Sequence, residues 1–98
     1  MYDNFPIHFF TKVIIAMKKS IQLSVSAENT LRNLGKNIKS ARISRGITAT
    51  AMAELMDTTR VTLGSIEDGL PSVSMGHYIK ALSILGLDLR IAGNVIEA

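Results

Sequence analysis

Between Thr48 and Gly69 the chain reads TATAMAELMDTTRVTLGSIEDG, two short helical patterns separated by a tight polar break. The first opens at Thr48, a good N-cap residue, and carries Met52, Ala53 and Met56 at helical spacing. The second follows Thr59 and carries Leu63 and Ile66 three apart, with Arg60, Val61, Thr62 and Ser65 on its other side. Asp57-Thr58-Thr59 is too short and too polar for anything but a turn that supplies the next N-cap.

The flanks supply two more helical patterns. One runs from Ala27 to Arg45, with Ser26 as its expected N-cap, Glu28 placed well for the helix dipole and Gly46 as its terminator. Leu31, Leu34, Ile38 and Ala41 form its apolar stripe, and Arg32, Lys36 and Lys39 lie on another face. The other is capped by Ser74 and ended by Gly86, with Met75, Tyr78, Ile79, Leu82 and Leu85 expected to face inward. Pro71 disfavours a helical Leu70, so the preceding helix should stop before it.

Both ends show strand patterns. Ser20 to Val25 alternates, with Ile21, Leu23 and Val25 on one side. Leu87 to Ile91 alternates again, Leu87, Leu89 and Ile91 against Asp88 and Arg90. A lone strand cannot satisfy its own backbone groups. Its partner is either the stretch around Ile21 to Val25 or the same strand of a second chain across a two-fold axis. Upstream, Phe9 to Ile15 is rich in aromatic and β-branched residues and also reads as a strand. Met17 opens MKKS and offers an alternative start to Met1. The expected organisation is thus an extension over 1–26, a helical domain over 27–87 and a strand with tail over 88–98.

The whole has 98 residues, room for one small domain. Its 47% hydrophobic content argues against disorder and exceeds what so small a core easily hides, which points to an oligomer. Net charge is +3 and the pI about 9.5, a balance that suits either a nucleic-acid partner or an ordinary soluble surface. There is no cysteine, hence no disulfide framework and no thiol nucleophile, in keeping with a reducing compartment such as the cytoplasm. The apolar run from Phe9 to Met17 is broken by Lys12 and too short to span a bilayer, so no membrane association is expected. His8 and His77 lack metal-ligand spacing, the glycines form no phosphate loop and no Ser or Thr lies in a nucleophile motif. We expect no catalytic residue, no metal and no cofactor.

Two helices joined by a tight turn make a helix-turn-helix, whose second helix can enter a DNA major groove. LGKNIKSARISRGIT, AMAELM, TTRVTLGSIEDG and SMGHYIKALSILGL, in that order and spacing, resemble the Cro/cI-type (XRE) helix-turn-helix family over about Leu34 to Leu87. The resemblance implies a mainly α, five-helix-type domain, with the short terminal β-strands used in dimerisation through Leu87, Leu89 and Ile91. It implies a DNA surface of Thr48, Ala49, Thr59, Arg60, Val61, Thr62 and Ser65. Arg60 would read guanine O6 and N7, Val61 a thymine methyl, Ser65 a further base or phosphate, and Thr59 and Thr62 phosphates. Backbone N–H groups at Thr48 and Ala49 would meet phosphate. Arg42 and Glu67 match a family pair that ties the first helix to the recognition helix.

Four positions depart from the pattern: Ala49 replaces a frequent glutamine, Asp57 a turn glycine, Gly64 empties the middle of the recognition helix, and Asp68 adds negative charge. They weaken DNA binding by a single protomer and favour a dimer on a palindromic operator. The segment PSVSMGHYIKALSILGL followed by DLRIAG is similar to HipB-like antitoxins, which would imply autoregulation of a toxin-antitoxin operon and a HipA-like kinase partner. A stand-alone regulator, and an interaction module that has lost useful DNA binding, are the other readings.

Overall fold

In the computed structural model residues 21–93 are described, and they contain four helices and no strand. These are α1 (Val25–Ser44), α2 (Ala49–Leu55), α3 (Arg60–Glu67) and α4 (Met75–Ile84). The strand expected at Phe9 to Ile15 falls outside the described residues.

Three helices start where the sequence places their caps. The hydroxyls of Thr48, Thr59 and Ser74 accept from the N–H groups of Ala51, Thr62 and His77. The first helix starts earlier than expected. Ser24, not Ser26, is its N-cap, with Oγ accepting from the Ala27 N–H at 3.1 Å and its carbonyl from the Glu28 N–H at 2.9 Å. Val25 therefore opens α1 instead of closing a strand. Both serines are competent caps, and the earlier one adds half a turn of hydrogen-bonded helix.

All four helices end in the same way. The N–H two residues past the C-cap donates to the carbonyl three residues inside, and the intervening N–H to the next one: Ile47 to Arg42 and Gly46 to Ile43 in α1, Thr58 to Ala53 and Asp57 to Glu54 in α2. Leu70 to Ser65 with Gly69 to Ile66 closes α3, and Leu87 to Leu82 with Gly86 to Ser83 closes α4. These are Schellman turns, which need a left-handed residue. Glycine fills that place three times, and Asp57 fills it once at φ +55°.

The core is Ile38 of α1, Met52, Ala53 and Met56, then Leu63 and Ile66 of α3, and Tyr78, Ala81, Leu82 and Leu85. The helical stripes read from sequence account for it with two corrections in α4. Met75 and Ile79 are 64% and 43% exposed, and Ala81 takes the inward place. At 100° per residue, Tyr78, Ala81, Leu82 and Leu85 share an arc that Met75 and Ile79 border.

Helix α3 is held between α1 and α2. At its C-terminal turn it meets α1 backbone to backbone. A methyl placed on Gly35 would sit 2.6 Å from the Glu67 carbonyl oxygen and the Gly69 nitrogen. Gly69 in turn lies on the main chain of Leu31 and Arg32.

The terminal strand pattern does not become a sheet among the described residues. Residues 21–24 and 87–92 have no regular structure. Leu87 turns inward instead: its N–H closes α4, and its side chain packs against the core. Pinning one strand residue to the helix end takes its N–H out of any ladder.

Candidate nucleic-acid interface

The residues between Thr48 and Ser65 form one surface because two capped helices are fixed at a right place by the core beneath them. The outward row of α3 begins at once: Arg60 and Val61 are exposed, Val61 by 81%, while Leu63 and Ile66 of the same helix are buried. Arg60 has no ion-pair or hydrogen-bond partner among the described residues, so its five donors face solvent. An exposed valine beside an unpaired arginine sets an apolar group next to a side chain able to donate two parallel hydrogen bonds.

The hydroxyls divide into free and committed groups. Thr59 Oγ1 caps α3 and also donates to Thr62 Oγ1 at 3.1 Å. Ser65 Oγ donates to the Val61 carbonyl at 3.2 Å, so its proton is taken and its lone pairs remain to accept, for example from a base amino group. Thr48 Oγ1 accepts from the Ala51 N–H at 3.0 Å and keeps its own proton as a donor. Ala49 is half-buried and packs on the core, so the place of the family's glutamine is given to an apolar contact.

Arg42 and Glu67, a pair implied by the family resemblance, meet in the fold. Arg42 Nε donates to Glu67 Oε2 at 2.6 Å, and a second guanidinium nitrogen to Oε1 at 3.2 Å. Its remaining nitrogen donates to the Ile47 carbonyl at 2.8 Å. Both side chains are over nine-tenths buried, and no buried side-chain polar atom among the described residues lacks a partner. One guanidinium thereby joins α1, the α1–α2 turn and the end of α3, which fixes the angle at which the recognition helix is presented.

Two placements follow from packing alone. A cleft of about 350 Å³ runs beside the outward row, with Val61, Thr62 and Ser65 on one wall and Ser72, Ser74 and His77 on the other. The sequence marks His77 only as a first-turn residue. In the fold its Nδ1 lies 2.6 Å from Ser74 Oγ, and the ring faces the same side as the recognition helix. No pattern in the chain connects residues 61 and 77; packing alone brings them together. The second placement is that of Asp68. It shares a cleft with Arg32, Lys36 and Lys39 at the far end of α3, roughly 12 Å along the helix from Arg60. Its charge is set among cations there instead of beside Arg60 and Val61.

The residues expected to dimerise separate. Leu87 is half-buried on its own core, Leu89 lines an apolar groove with Ile21 and Leu23, and Ile91 is 88% exposed. The groove brings the two terminal segments together without a ladder.

The profile of the helix-turn-helix family matches residues 38–91, more than half of the chain. The chain belongs to the helix-turn-helix family, in its Cro/cI (XRE) type. No curated protein and no solved structure gave a significant match. The matched stretch holds the Cro/cI-type pair α2 and α3 together with the last third of α1 and all of α4. It is a DNA-binding type of domain. No helix among the described residues is long and apolar enough to cross a membrane, and no group of metal-competent side chains gathers there.

Proposed function

We propose that the protein is a transcriptional repressor that works as a homodimer in the cytoplasm and reads a palindromic operator with half-sites about one helical turn, roughly 34 Å, apart. The observation that carries this reading is the start of α3, where Arg60 and Val61 are exposed and unpartnered on a helix whose other face is locked into the core. Arg60 selects guanine, Val61 a thymine methyl, and Ser65 accepts from a base amino group. Thr48, Thr59 and Thr62, with the first N–H groups of α2, register the backbone. The reading involves no catalysis, metal or cofactor.

Within it, resemblance of the α4 region and the following DLRIAG favours a HipB-like antitoxin that represses its own operon and holds a HipA-like kinase. A stand-alone regulator of the same type is the other form. Gly64 supports the interaction-module reading, since nothing lies within 4 Å of where its side chain would be and the outward row has a gap there. Anisotropy titrations on operator and scrambled duplexes separate these. Arg60→Ala should lose about 1–3 kcal/mol of discrimination while keeping salt-sensitive background binding. Discrimination that survives the substitution assigns the reading to other residues. Co-purification with a kinase distinguishes the antitoxin from the stand-alone form.

A further inference from the structure

A groove of about 280 Å³ opens on the domain, walled by Ile21 and Leu23 ahead of α1, Leu34 of α1, Val73 and Met75 at the start of α4, and Leu89 after it. Tyr78 forms its floor, and the one polar atom it brings is already engaged, the phenol donating to the Leu70 carbonyl at 2.7 Å. The walls are large apolar side chains, and several stand open: Ile21 is 54%, Met75 64% and Leu89 50% exposed. A surface of that kind selects an apolar occupant, because a polar one would lose water without gaining a partner.

We infer that the groove is the seat of this chain's own segment Phe9 to Ile15. That stretch is the densest run of large apolar residues outside the described domain, with Phe9, Phe10, Val13, Ile14 and Ile15. The tail from Asn94 offers only Val95 and Ile96. The connection is direct, since Ile21 is itself a wall of the groove and Ile15 lies six residues before it. Six residues reach at most about 20 Å, enough to turn back along the wall they continue into. A tether of that length also gives an effective concentration in the millimolar range, which outcompetes a second copy or a free partner at micromolar concentration. Lys12 is the one charge in the run. The inference stands apart from the DNA reading: it concerns how the terminal extension completes the domain.

The full chain contains no tryptophan, so Phe10→Trp gives a single unambiguous reporter. Seated in the groove, it should show a blue-shifted emission shielded from iodide and unchanged on hundred-fold dilution. Met75→Glu or Leu89→Glu, each on an exposed wall residue outside the core, should then move the emission to the red and open it to quenching. Far-ultraviolet circular dichroism should show both variants still helical. Solvent-like emission in the parent, or buried emission indifferent to both groove variants, would overturn the inference. Buried emission lost on dilution would overturn it in favour of a second copy.

Discussion

The same substitution, glycine to alanine, should act with opposite sign in two helices of this small domain. Gly35 and Gly64 are both helical, and in the absence of neighbours alanine would gain about 1 kcal/mol at either place. At Gly64 the built methyl meets nothing within 4 Å, so the gain should appear nearly whole, a rise of roughly 4–8 °C in Tm for a domain of this size. At Gly35 it meets three backbone atoms, the carbonyl oxygens of Glu67 and Ile66 and the Gly69 nitrogen, at 2.6–2.7 Å. Ordinary contact begins at 3.4 Å, so α1 and α3 would have to part by about 0.8 Å. None of the three atoms can rotate away, since all belong to the turn fixed by the Gly69-to-Ile66 and Leu70-to-Ser65 bonds. Overpacking of this kind costs about 1–3 kcal/mol, and three rigid contacts place it at the upper end. The separation also stretches the Arg42–Glu67 pair. After the propensity gain is deducted, Gly35→Ala should destabilise by about 1–2 kcal/mol. Urea and thermal unfolding of the two variants beside the parent decide the matter. A neutral or stabilising Gly35→Ala would refute the close α1–α3 approach.

Asp57→Gly should stabilise by about 0.5–1 kcal/mol, the left-handed strain relieved less the greater freedom of glycine in the unfolded chain, and thermal melts will show it as a raised Tm. Glu67→Ala should cost about 3–5 kcal/mol by leaving the Arg42 guanidinium buried without its carboxylate, whereas the double variant Arg42→Met with Glu67→Leu should lose far less; urea midpoints compare them. Burial pushes the Tyr78 phenol above its ordinary value of 10.0. A raised folded value means that the unfolded chain releases the proton first, so this contribution is whole below about pH 10 and is lost as pH rises through the folded value. Melts from neutral to strongly alkaline pH should show that decline in the parent and a smaller one in Tyr78→Phe.

What could be read from the chain was whatever depends on near neighbours. Thr48, Thr59 and Ser74 cap helices because a side-chain oxygen and an N–H three residues on are both local. Gly46 and Gly86 end helices for the same reason, and Asp57 takes the left-handed turn that the family resemblance assigned to a glycine. Arg42 and Glu67 lie 25 residues apart and were paired only through that resemblance. Gly35 could not be recognised, since a glycine in a helix reads as a weak helix former until the crossing backbone of α3 is in place. Ser24 and Ser26 are equivalent on propensity, and the hydrogen bonds to Ala27 and Glu28 decide between them. The alternation at 21–25 and 87–91 was real, but alternation specifies a face and not a partner. Here Leu23 and Leu89 meet across a groove, and Leu87 closes α4. His77 entered the candidate interface through tertiary packing alone.

On the proposed function, the start of α3 reads DNA sequence. Selection of bound duplexes from a random pool at about 150 mM salt, with parent and Arg60→Ala chains side by side, tests it most directly. An inverted repeat with a guanine in each half-site should be recovered by the parent and lost with Arg60→Ala. An unenriched pool with only salt-labile retention, or the same motif from both chains, would contradict it.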